Sequence, residues 1–123
     1  LVVRSRDALD RMTFDPEVAR ALMDDEGWPA TIIVAWAEGG DRWHARNVFP
    51  VGEITEDPAT GAGAAALCGY LRETRAVTPP RRIRISQGEH VGRPSVLTVD
   101  IPATGGIAVS GSAVRLRDPA PPA

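Results

Sequence analysis

The stretch "EDPATGAGAAALCGYLR", residues 56–72, decides how this chain is read. An acidic pair runs into a proline and then into a tract of alanine, glycine and leucine. Asp57 before Pro58 reads as a helix start. Asp accepts hydrogen bonds from the first free amides, and proline at the first helical position gives up an N–H that has no partner there anyway. The sequence predicts a helix over about residues 59–72. It shows no polar face until Arg72, and a helix that is apolar all round is a buried one. Gly61, Gly63 and Gly69 each cost about 1 kcal/mol against alanine in a helix. Close approach of the surrounding backbone must offset that cost, which suggests a helix set inside a curled sheet.

The start of such a helix is chemically useful. Its first amides have no helical partners, and the helix dipole adds partial positive charge there. With only small side chains nearby, the amides of Gly61, Ala62 and Gly63 are open to an anion beside the Asp57 carboxylate. Two nucleotide readings fail. "GAGAAA" loosely fits G-x-G-x-x-A, but that fingerprint needs a strand running directly into it, and the upstream "PVGEITEDP" is polar and broken by proline. A phosphate loop needs a lysine, and the chain has none. A helix of small residues that packs and binds nothing is the plain alternative.

Outward from this stretch, "LVV" at the start reads as a short strand. In "TFDPEVARALMDD", Asp15 and Pro16 repeat the helix-start signal, and Phe14, Val18, Ala21 and Leu22 form an apolar stripe over about residues 15–25 that Gly27 ends. "ATIIVAW" (30–36) is a continuous apolar strand, and "RWHARNVF" (42–49) should pair with it as a hairpin across "EGGD". "RIRIS" (82–86) alternates, "SVLTVDI" (95–101) follows a glycine-bearing loop, and residues 107–117 read as a last strand interrupted at Gly111. The sum is α+β, with a mostly antiparallel sheet, in a single domain over 1–117. The proline-rich residues 118–123 read as a flexible tail.

Composition narrows the function classes. A formal net charge of −2 over 123 residues gives no reason to expect nucleic acid or an anionic membrane as a partner. The single cysteine, Cys68, excludes an intrachain disulfide and points to a reducing, cytoplasmic setting. No apolar run approaches a membrane span. With two histidines, His44 and His90, and one cysteine, no metal site is expected. His90 and Glu89 read as solvated loop residues, Cys68 as a small core residue, Arg93 as a turn brace or else a ligand contact, and Trp28, Trp36 and Trp43 as core or interface.

Taken together, "ARNVFPVGEITEDPATGAGAAALCGYL", "RIRISQGEHVGRPSVLTV" and "GIAVSGSAVRL" resemble the phenazine biosynthesis PhzF-like isomerases, which share the diaminopimelate epimerase fold. Arg46, Phe49 and Pro50 approximate the family's Arg–x–Phe–x–Pro stretch with the spacing shifted by one. Glu56 to Gly61 match its E-D-P-A-T-G. Gln87, Gly88, Gly92, Arg93, Pro94 and Ser95 match its Q-G-x-x-x-G-R-P-S.

The resemblance implies one lobe of a two-lobe molecule, the C-terminal one, with a curled sheet around a central helix and the active site in the cleft between lobes. It implies a cofactor-independent isomerisation by proton transfer on a small carboxylic acid. Asp57 is then an assisting acid or hydrogen-bonding partner, Gly61 and Ala62 hold the substrate carboxylate through their amides, and Thr60 and Gly63 line the site. Two departures stand out. The family's principal glutamate belongs to the other lobe, and no segment here matches it. The serine that follows the family's helix-start glycine is Ala62 here, which keeps only its amide. Three arrangements are therefore expected: a half-site completed by an N-terminal lobe, encoded separately or upstream of this sequence, a homodimer with two Asp57 carboxylates facing each other, or a binding or scaffolding lobe without chemistry.

Overall fold

Two of the strongest strand signals sit on either side of the turn at Gly39 and Gly40, and they do form a hairpin. In the computed structural model, which describes residues 1–28, 31–51 and 54–115, strand β1 (Ile32–Gly39) pairs antiparallel with β2 (Arg42–Val48). A two-residue strand, β3 (Glu56–Asp57), adds antiparallel to the end of β2. The chain then enters the small-residue helix, here Gly61–Glu73, and returns as β4 (Arg81–Gln87) parallel to β2. Parallel neighbours need a crossover, and the helix supplies it. β5 (Ser95–Ile101) and β6 (Ala108–Ser110) complete the sheet by antiparallel pairing, in the order β1-β2-β4-β5-β6. This is α+β, with one parallel pair in an otherwise antiparallel sheet.

Two helices precede the sheet. α1 (Arg6–Asp10) is capped by the Ser5 hydroxyl, which accepts from the Ala8 amide. α2 (Pro16–Glu26) starts as its sequence indicates: the Asp15 carboxylate accepts from the amides of Glu17 and Val18, and Gly27 closes the helix in the left-handed conformation. The helix at Gly61–Glu73 is therefore α3. The opening "LVV" makes a single parallel bridge, Val2 to Ala35.

The core lies between α3 and one face of the sheet. Ala64, Leu67, Cys68 and Leu71 meet Ala35, Ala45, Ile83, Ile85, Val99 and Ile101, all buried. The isoleucines follow the two-residue alternation of β4, and Arg82 and Arg84 between them face solvent.

The structure departs from the sequence reading in four places. The sheet is open and does not close around α3: Ala62, Ala66 and Tyr70, spaced four apart, are exposed along the helix's outer face. The expected burial on all sides is thus burial on the sheet side only. α2 keeps its stripe uncovered: Val18 and Leu22 are exposed and only Met23 is buried. The last strand is confined to Ala108–Ser110, and residues 116 and 117 lie outside the described part, as does the expected tail at 118–123. Finally, α1 has no counterpart in the sequence reading, since five residues are too few to show a period.

Candidate functional site: a clasped turn at the start of α3

Glu56 and Asp57 sit on β3, where neighbouring side chains point to opposite sides. Glu56 turns inward. Its carboxylate takes the Arg46 guanidinium at 2.7 Å from Nη2 and 3.1 Å from Nε, with both residues under 10% exposed. Arg46 also donates to the carbonyls of Leu9 (3.2 Å) and Met12 (2.8 Å) at the end of α1. A charge this deeply buried is tolerated because every direction it faces holds an acceptor. The pair ties α1 to the strand that delivers Asp57.

Asp57 is half-buried, and its carboxylate Oδ2 accepts from the Thr60 hydroxyl at 2.6 Å. It does not cap α3. Its backbone is held in the register Asn47↔Asp57, so Thr60 occupies the cap position, with no side-chain bond to the helix amides. This corrects the expected start at residue 59 and leaves the Asp57 carboxylate free of a capping role. The first bond within the helix runs from the Ala64 amide to the Thr60 carbonyl. The amides of Gly61, Ala62 and Gly63 precede it and are the ones a helix start leaves unpaired.

The second motif clasps the first. Gln87, 1% exposed, donates through Nε2 to the Asp57 carbonyl (2.7 Å) and to the Thr60 hydroxyl (3.0 Å). Its Oε1 accepts from the Thr60 amide at 3.4 Å. Ser95 Oγ donates to the Pro58 carbonyl at 2.9 Å. Between these two residues, Gly88 has φ of 86°, and a Cβ there would strike the carbonyls of Arg93 and Pro58. The motif's glycine is thus required by space and by backbone conformation together. The Gly92 amide and the Arg93 amide close the loop onto the carbonyls of Glu89 and Gly88.

Gly63 serves packing as well. A Cβ there would lie 2.8 Å from Asn47 Oδ1, and Asn47 is fully buried, with its amide nitrogen directed to the Thr31 hydroxyl. Asn47 Oδ1 has no partner among the described residues. Sequence reasoning passed over Gln87, Asn47 and the Arg46–Glu56 pair as site residues. Gln87 was visible within a motif, but nothing local shows that it reaches back 30 residues to Asp57.

Two open cavities flank the turn, of about 600 and 620 Å³. Asp57, Pro58 and Arg93 line both. Ile54 and Val91 border one; Val96 and Val114 border the other, and all four are substantially exposed. Thr60, Gly61, Ala62 and Gly63 line neither cavity. Ala62 is exposed at the helix start, where its methyl can neither donate nor accept a proton.

The remaining candidates fall elsewhere. His44 and His90 converge on one polar network. Arg6 bonds the His44 ring and pairs with Asp10 (2.8 Å) and Glu89 (2.5 Å), while His90 reaches Asp10 at 3.0 Å. His90 and Glu89 are therefore partnered, where the sequence reading left them solvated. Hydrogen bonding to Arg6, reinforced by Arg6's charge and then by His90, holds the Asp10 carboxyl below its ordinary range. Burial pushes the Cys68 thiol up to about 12, so it stays neutral and unreactive at neutral pH. Trp43 is in the core, Trp36 lies against the His44 ring at 5.6 Å, and Trp28 is exposed. Among the described residues no group of three or more His, Cys, Asp or Glu could hold a metal ion, and no helix is long and apolar enough to cross a membrane.

Fold and site define an α+β protein whose crossover helix starts beside a carboxylate at a cleft. The family model described as phenazine biosynthesis-like protein matches residues 1–118, and the chain belongs to that family. It is 36% identical over 76 residues to the trans-2,3-dihydro-3-hydroxyanthranilate isomerase of Pseudomonas aeruginosa, a match covering 62% of this chain and 26% of the relative. It is 35% identical over 81 residues to an uncharacterised isomerase of Mesorhizobium japonicum, covering 62% and 27%. The chain thus spans about a quarter of these relatives' length. Two solved structures share the fold. A predicted epimerase from Pseudomonas aeruginosa gives a TM-score of 0.63 at 24% identity, over 92% of this chain and 40% of that one. A Bacillus anthracis phenazine biosynthesis protein of the PhzF family gives 0.64 at 16%, over 88% and 39%.

Proposed function

We propose that this chain is one half of a cofactor-independent isomerase that moves a proton on a small carboxylic acid, its site completed by a second lobe. The single observation that carries this is the clasped turn. Gln87, Thr60 and Ser95 fix the backbone around Asp57, a residue that lines both cavities and whose carboxylate is released from capping. A positioned carboxylate is what proton transfer to or from carbon requires, and such groups contribute roughly 10²–10⁴-fold. In this reading Asp57 acts as an assisting acid or hydrogen-bonding partner, the amides of Gly61 and Ala62 take the substrate's carboxylate, and Thr60 orients Asp57. Gly63 lets the helix start settle against Asn47. The rest of the chemistry comes from the second lobe. The exposed Ile54, Val91, Val96 and Val114 around the cavities support a covering lobe, since clustered apolar residues at a cleft mark contact sites.

The test is solvent-deuterium incorporation into trans-2,3-dihydro-3-hydroxyanthranilate in D₂O, followed by mass spectrometry. The chain alone should give none. The chain mixed with a polypeptide resembling the missing lobe, sought first in the neighbouring reading frame, should give incorporation. Exchange by the chain alone at a fixed rate per molecule would reject the split site. Exchange that rises with the square of concentration would favour a homodimer. A second reading, a binding lobe without chemistry, is favoured by Ala62 and predicts ligand binding with no incorporation in any combination.

A further inference from the structure

We propose that Arg93 is the anion-recognition residue of the Asp57 cleft. Its guanidinium takes a carboxylate of the bound molecule through two parallel hydrogen bonds while Asp57 faces the carbon framework. This rests on the reading that the cleft takes small carboxylic acids, and it adds a residue and a charge pattern to that reading.

Arg93 borders both cavities, and in both it stands with Asp57 and Pro58. The guanidiniums of Arg6, Arg42, Arg46, Arg81 and Arg82 each hold a carboxylate. That of Arg93 has no hydrogen bond or ion pair among the described residues, as is also true of Arg4, Arg20, Arg75, Arg84 and Arg115, but of these only Arg93 borders a cavity with Asp57. The sequence reading left Arg93 as a turn brace or a ligand contact. The bracing is done by its backbone: the Arg93 amide bonds the Gly88 carbonyl at 2.9 Å, and its own carbonyl packs on the Gly88 α-carbon. The side chain is left for something else.

Charge logic agrees. Asp57 alone would repel an anionic molecule from the cleft. Arg93 and Asp57 share the lining of both cavities and form no ion pair with each other among the described residues, so both charges are left for a bound molecule. A molecule carrying a carboxylate beside an acidic C–H group fits between them. Arginine suits this task better than a point charge because its planar fork matches a carboxylate two-to-two. A carboxylate offers about four acceptor sites, so the Arg93 fork leaves room for further donors.

The experiment titrates the chain with anthranilate, a cyclic amino acid carrying one carboxylate, and with its neutral amide, anthranilamide, by calorimetry and by amide chemical shifts. Wild type should bind anthranilate more tightly than anthranilamide, and added salt should weaken only the former. Arg93→Met should weaken anthranilate binding by about tenfold or more, as loss of a charge-assisted pair implies, and leave anthranilamide unchanged. Arg93→Lys, which keeps the charge and loses the fork, should fall between. The proposal is overturned if wild type does not distinguish the two ligands, or if Arg93→Met binds anthranilate like wild type. Arg93-dependent binding without deuterium incorporation in any assembly would leave this inference standing and remove the isomerase reading.

Discussion

The dipeptide Asp–Pro occurs before two helices of this molecule and has opposite consequences. Asp15 precedes Pro16 and does what the local sequence dictates: its carboxylate takes the amides of Glu17 and Val18 at 2.9 and 3.2 Å and starts α2. Asp57 precedes Pro58, yet its backbone is captured by β2 as an extended strand residue, and the cap position of α3 passes to Thr60. The carboxylate so released binds a hydroxyl, and Asp57 lines two cavities. A single strand pairing, absent near Asp15, turns a structural residue into an available one.

The largest effect should come from removing what holds the second segment in place. Arg46→Leu leaves the Glu56 carboxylate buried without its partner and strands the carbonyls of Leu9 and Met12. A loss of about 3–5 kcal/mol is expected in urea denaturation, and a loss below about 1 kcal/mol would contradict the role given to this pair. Gln87→Leu deprives the Thr60 amide, the Thr60 hydroxyl and the Asp57 carbonyl of one partner at once. It should cost about 1–3 kcal/mol. The same titration would show whether α3 then takes Asp57 as an ordinary cap, visible as changed amide shifts at Ala59 and Thr60.

The two aspartates can be set against each other directly. Asp15→Ala should cost about 1 kcal/mol through the lost cap. Asp57→Asn, which caps nothing and keeps an acceptor for the Thr60 hydroxyl, should stay within about 0.5 kcal/mol of wild type. Equal losses would erase the comparison. The smallest effect concerns Asp10. Its folded carboxyl is held low by Arg6 and His90, so its stabilising contribution is present above the unfolded value near 3.9 and is lost as pH falls through the lower folded one. Asp10→Asn should therefore lower stability slightly at neutral pH and flatten its decline below about pH 4, so that variant and wild type converge in acid.

The same contrast explains how far the sequence could be read. Asp15, Pro16 and Gly27 act within one turn of α2, and their meaning is local. The β1–β2 hairpin is equally local, since its partners flank one tight turn. The Asp57 turn depends on Asn47, Gln87 and Ser95, which lie 10, 30 and 38 residues away. Periodicity reports that α2 has an apolar stripe and α3 has none of the usual polar face, but it does not say what covers either one. That is why Val18 and Leu22 are exposed and why α3 is open along Ala62, Ala66 and Tyr70. The family motifs reached further than periodicity. They marked Gln87 and Gly88 together with Glu56 and Asp57, and the structure supplies the reason: one motif is the clasp of the other.

The most direct test of the account is the Asp57→Asn variant in the assembled two-lobe protein, with solvent-deuterium incorporation as the readout. If Asp57 is the carboxylate this turn exists to present, incorporation should fall by about 10²-fold or more with stability preserved. Incorporation at the wild-type rate in a folded Asp57→Asn protein would contradict it.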